Sequence, residues 1–312
     1  MSAVNTGDVA VGASTFSSVW ISRGRFVLAV ALVWSGLHLV VDRTVLMPGL
    51  DRPVVVVASE SGLSGALVVA VVLWVGAYVG ALLAGVRDGS RVLLMVGLAL
   101  ALWATGGGTM DDWLLLNNQL AQGPRAAPYW ALLGEYLYLG VVIVGVIALG
   151  NIAALGRRAL DPEARRLRLR RIIAVGGDSP PWRDGVFALL VTTLAGALLL
   201  FLLSGPREAH TWRGQVYFAV GVGFILAVLA AQRVTRVRHL IWYCPAPFIV
   251  GLIGAVRASL SPGLPPPFDH LDMIPPWALV RPLPVEMVGV GLLAITWTLR
   301  TTGHLSGRGD AG

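Results

Sequence analysis

Glu286 is the residue best placed to do chemistry in this chain. It stands five residues after Arg281, with Pro282 and Pro284 between them, and fourteen residues before Arg300. At 1.5 Å per helical residue the carboxylate lies roughly 21 Å from Arg300, inside the outer third of a hydrocarbon layer about 30 Å thick. An ionisable group at that depth is expensive and faces a cavity or a partner. The two prolines interrupt regular helix, so the expected arrangement is a Glu286–Arg281 pair lining an outward-open pocket. Glu135, near one end of the fourth apolar segment, and His38, in the outer half of the first, are further candidates for that pocket. The competing expectation is a structural ion pair, or a carboxylate left at the headgroups by a last span that starts later.

A second constellation is carried by two loops. Asp111 and Asp112 stand before Trp113, and Asp269, His270 and Asp272 follow Phe268. Oxygen and nitrogen donors of this kind suit Mg²⁺, Mn²⁺ or Zn²⁺, and such an ion could orient a lipid-linked phosphate for transfer. Paired aspartates are also common in loops and at helix caps, so no metal is assigned, and no motif names a cofactor. Gly62-Leu63-Ser64-Gly65 offers a serine, but small residues for close helix packing account for it. Gly106-Gly107-Gly108 lacks the strand before and the lysine after that a phosphate loop needs, and reads as the end or bend of a helix.

The densest charge is Arg165, Arg166, Arg168, Arg170 and Arg171. Beside an anionic leaflet each arginine contributes roughly 1 kcal/mol of attraction. The run therefore reads as a topology determinant lying on anionic lipid headgroups, with docking of a partner in a membrane complex as the functional alternative.

The elements that must position these groups follow from the composition. Of 312 residues, 56% are hydrophobic and 13% charged, against about 25% charged in ordinary soluble domains. So little polar material cannot cover a water-facing surface, and the solvent for most of the chain is lipid. The net charge of +7 comes from arginines that flank apolar runs instead of lying on a groove-reading element, which argues against nucleic acid. A single cysteine, Cys244, excludes an internal disulfide and a multi-cysteine metal centre. Backbone in lipid must satisfy its own hydrogen bonds, and runs of this length do so as helices.

The expected fold class is therefore all-α: a polytopic helical membrane bundle of about eight transmembrane spans. Leu63 to Val86, Val92 to Met110, Gly185 to Gly205 and Gly214 to Gln232 carry no charge. Phe26 to Val41, Leu133 to Leu155, Leu240 to Val256 (broken by Pro245 and Pro247) and Pro284 to Leu299 complete the set. With eight spans and the N-terminus inside, every inner segment holds at least two arginines and no outer one more than two. That alternation expects both termini in the cytoplasm of a bacterial-type inner membrane. The organisation reads as a disordered tail (1–19), a first four-span half (20–155), an Arg-rich cytoplasmic connector (156–184), a second half (185–300) and a cytoplasmic tail (301–312).

Loop lengths recur between the halves. Pro128-Tyr129-Trp130-Ala131-Leu132 precedes Glu135, and Pro276-Trp277-Ala278-Leu279 precedes Glu286. Two parallel four-span repeats would produce that pattern. Three function classes follow: a transporter or permease with an outward-facing polar pocket, a membrane enzyme acting on a lipid or lipid-linked substrate at the outer face, or an accessory or anchoring subunit. Few charged residues lie within the spans, which argues against ion-coupled transport of a polar solute.

Overall fold

A computed structural model describes residues 7–42, 54–58, 62–85, 89–120, 126–159, 182–204, 212–263 and 275–306. Arg165 to Arg171 in the connector, and Asp269, His270 and Asp272, lie outside the described residues. What is described is helical: α1 (Gly7–Gly36), α2 (Gly62–Ala84), α3 (Gly89–Ala104), α4 (Met110–Leu120), α5 (Ala127–Ala159), α6 (Trp182–Leu203), α7 (Arg213–Thr235), α8 (Ala246–Leu260) and α9 (Pro284–Ser306). α1 thus takes in residues 7–19 of the segment read as a tail, and it continues as one π-helical stretch over Leu37–Val41.

Among the described residues six helical stretches are long and apolar enough to cross a membrane: Trp20–Val41, Gly62–Ala84, Ala127–Gly156, Trp182–Leu203, Arg213–Thr235 and Leu240–Leu260. The molecule is a multi-pass helical membrane protein. Two further segments expected to span form helices that differ from these six. α3 is apolar but has 16 residues, about 24 Å of helix. α9 has the length but carries Glu286, Arg300 and four threonines in its sequence.

Burial explains how α9 tolerates that polarity. Its first nine residues, with the three before them, form an unbroken buried run from Arg281 to Leu292. Close approach to α3 needs glycine: a Cβ at Gly97 would sit 3.0 Å from the Leu293 nitrogen, and one at Gly289 would sit 2.9 Å from the Ala101 nitrogen. The outer helices show the opposite pattern. Leu63, Leu67, Val71 and Val75 of α2 are exposed, whereas Gly65, Ala66, Gly76, Ala77, Gly80 and Ala81 of the same helix are buried. Large apolar groups outside and small ones inside is the arrangement lipid favours, because backbones approach closely while the tails solvate leucine.

Helices α1, α2, α3 and α5 pack with one another, as do α6, α7, α8 and α9. Between these sets the main contacts are α3 with α9 and α5 with α8. The expected break in the seventh apolar segment is present: a 3₁₀ turn at Leu240–Trp242 precedes α8, which starts after Pro245.

Candidate functional site

The polar groups meet at the two ends of the bundle, beginning with the carboxylate end. Pro284 opens α9, where its missing N–H is no loss. Glu286 lies in that first turn, 2% exposed. Its Oε2 accepts the Leu283 N–H at 2.9 Å, the acidic half of a capping box. The other oxygen faces Arg213, whose Nε lies 3.4 Å away.

Arg213, the first residue of α7, also donates through Nη1 to the Thr105 carbonyl at 2.8 Å and through Nη2 to the Gly107 carbonyl. Those carbonyls point outward because α3 ends at Ala104 and the glycines that follow turn the chain. One guanidinium thus joins α7, α9 and the α3–α4 turn. In the sequence Arg213 is one more arginine beside an apolar run and does not stand out, since its partner is 73 residues away.

Arg281, expected beside Glu286, is 2% exposed and directs Nη1 to the Ser204 carbonyl at the end of α6. Glu135 is fully buried in α5. Its two oxygens accept the N–H groups of Val56 and Val57, at 2.8 and 2.7 Å. A stretch of loop is thereby drawn into the bundle, with Val54, Val55 and Val56 buried. Both glutamates therefore hold backbone donors where they leave regular structure.

His38 lies apart from these groups, in the π-helical stretch of α1. Its Nδ1 is 2.7 Å from Asp42 Oδ2, its ring stacks on Trp34 at 5.4 Å, and the second Asp42 oxygen accepts Trp103 Nε1 at 2.7 Å. The imidazole side chain is 53% exposed, so it borders the bundle's outer surface.

Asp112 has a local task. Thr109 precedes α4 and donates to Asp112 Oδ2 from both its N–H and its hydroxyl, at 2.5 and 2.9 Å. Among the described residues no three His, Cys, Asp or Glu side chains converge as metal ligands. Asp111 shares the first turn of α4 with Asp112.

A space at the set-to-set boundary is apolar. A cavity of about 690 Å³ runs between α5 and α8, lined by Tyr136, Gly140, Ile143, Ile147, Pro245 and Phe248 among others. Its lining follows α5 from Tyr136 to Ile152, roughly 24 Å of helix. Leu137, Val144, Ile152 and Ile241 line it and are also exposed, so it opens toward the lipid side. Tyr136, next to Glu135 in sequence, packs its ring against Gly251 of α8. Nothing in the sequence marks this space, because apart from Pro245 the residues around it read as ordinary span.

No protein-family model, curated protein or solved structure matches this chain. Its function has to be argued from the geometry alone.

Proposed function

We propose that this protein is an inner-membrane transporter or permease built from two parallel four-span halves, and that its cargo is an amphipathic, lipid-like molecule. The observation that carries this reading is a pair of boundaries between the helix sets. α3 meets α9 on one side, and α5 meets α8 on the other. The first is sealed by Gly97 and Gly289; the second holds the 690 Å³ cavity.

Pairing α1 with α6, α2 with α7, α3 with α8 and α5 with α9 supports the duplication. In each set the first helix packs on the second and third, and the fourth packs on the second and third. Across sets, third meets fourth in both directions, as an axis along the membrane normal demands. On this reading α3 and α9 also span and bring the count from six to eight, and Glu135 and Glu286 are counterparts. Substrate sites in repeat-built transporters lie at the boundary between repeats.

The chemistry of the cavity sets the cargo class. A polar solute would find almost no hydrogen-bonding partner along its walls. An acyl or isoprenoid chain would find close-packed contacts, although lipid tails solvate it nearly as well, so shape does the selecting. The Arg-dense run 165–171, in a cytoplasmic connector, would rest on anionic headgroups and hold both termini on the same side.

Proteoliposomes test the reading. A fluorescent phosphatidylcholine bleached only in the outer leaflet should equilibrate faster across vesicles carrying the protein than across empty ones. Gly140→Trp should return the rate to that of empty vesicles without loss of fold, since a Cβ at Gly140 meets nothing within 4 Å. Equal rates with and without protein would sink the proposal.

A further inference from the structure

The arginine end of the bundle holds a second cavity, of about 390 Å³, lined by Gln232, Arg233, Arg236, Arg238 and Thr302. We infer that it is a binding site for the phosphate of an anionic phospholipid, held by Arg233, Arg236 and Arg238.

Three exposed arginines line one cavity here because of one backbone feature. α7 ends at Thr235, and Arg236 takes a left-handed conformation with φ 56° while its N–H closes on the Gln232 carbonyl. Glycine or asparagine usually fills that position. An arginine there reverses the chain, so that Arg238 returns to the cavity that Arg233 already lines. Gln232 Nε2 donates to Thr302 Oγ1 at 3.2 Å, tying the wall on α7 to the wall on α9.

Retention of charge on the inner side requires only a number of arginines. It does not require that three of them line one cavity, or that none of the described residues lining that cavity be acidic. Guanidinium forks match phosphate oxygens in pairs, and the volume falls within the range of small-ligand sites. Arg236 and Arg238 follow directly on the apolar stretch Arg213–Thr235, the level where headgroups lie. Basic pockets between spans at that level bind lipid phosphates.

The test uses the full-length protein in a neutral detergent, with thermal unfolding read by tryptophan fluorescence. Phosphatidylglycerol, phosphatidylcholine and inorganic phosphate are the three probes. Phosphatidylglycerol should raise the melting temperature above the phosphatidylcholine value. The variant Arg233→Gln/Arg236→Gly/Arg238→Gln should lose that increment, and the control Arg23→Gln/Arg25→Gln/Arg183→Gln, which removes three exposed arginines elsewhere, should keep it. Should the triple variant not fold, Arg236→Gly alone serves, because glycine suits the backbone there, and a partial loss is expected. Inorganic phosphate reproducing the whole increment would support the phosphate site but assign it to a soluble ligand. An increment that survives in the pocket variants, or that disappears only in the Arg23/Arg25/Arg183 control, overturns the inference.

Discussion

Replacing Glu135 by leucine removes the acceptor for two backbone N–H groups, the buried one of Val56 and the partly buried one of Val57. An unsatisfied buried donor costs about 1–3 kcal/mol, so Glu135→Leu should destabilise the protein by about 2–5 kcal/mol, read from thermal or denaturant unfolding in detergent. Glu135→Gln keeps one acceptor oxygen and should lose roughly half as much. Unchanged stability in both would show that the loop is held by other contacts. Arg213 makes a sharper case, because its three contacts use the whole guanidinium fork. A lysine carries the same charge but cannot reach Glu286, Thr105 and Gly107 together. Arg213→Lys should therefore speed amide hydrogen exchange in the turn that follows α3 nearly as much as Arg213→Gln does. These residues differ in how visible they were. Glu135 and Glu286 stand out as charges in apolar runs, whereas Arg213 resembles any other loop arginine until the chain is folded.

Helix-level behaviour turns on where glycine is required. Gly289→Leu drives a side chain into the α3 backbone at the tightest crossing between the helix sets, and overpacking of this kind costs typically 1–3 kcal/mol or more. Gly140→Ala, facing open space, should melt within error of the parent. The α5–α8 contact offers a paired test. A Cβ at Gly251 would lie 2.2 Å from Tyr136 Cζ, so Gly251→Ala should destabilise the protein and Tyr136→Leu should partly restore it. The expected coupling is about 0.5–3 kcal/mol. Strict additivity would mean that the ring does not pack there. The apolar helices and their breaks at Pro245, Pro284 and Gly106 could be read from the chain, because proline and glycine act locally; α4 could not, and Asp111 and Asp112, expected in a loop, lie in its first turn. Which helices touch could not, since nearly every span offers small residues on some face.

For the whole molecule, sidedness is the property that a single experiment can establish. Cys244 is buried and can be replaced by alanine to leave a cysteine-free background. In that background Trp212→Cys, at a position 71% exposed, should react with an impermeant maleimide on intact cells. Asp184→Cys, at the opposite end of α6, should react only after permeabilisation. The reverse result would invert the proposed orientation, and with it the assignment of the arginine cavity to the cytoplasmic leaflet.

Composition and the length of the apolar runs pointed to a helical, multi-pass membrane protein, because runs this long satisfy their backbone in lipid as helices. Glu135 and Glu286 stood out because each interrupts an apolar run, but the sequence pointed to the lining of an outward-open pocket, whereas the fold buries both. Tertiary structure alone decided their partners, the sealing of one inter-set boundary, the cavity at the other, and the placing of Arg233, Arg236 and Arg238 along one cavity. Those depend on helix rotation and on one left-handed residue, and neither leaves a mark in hydropathy.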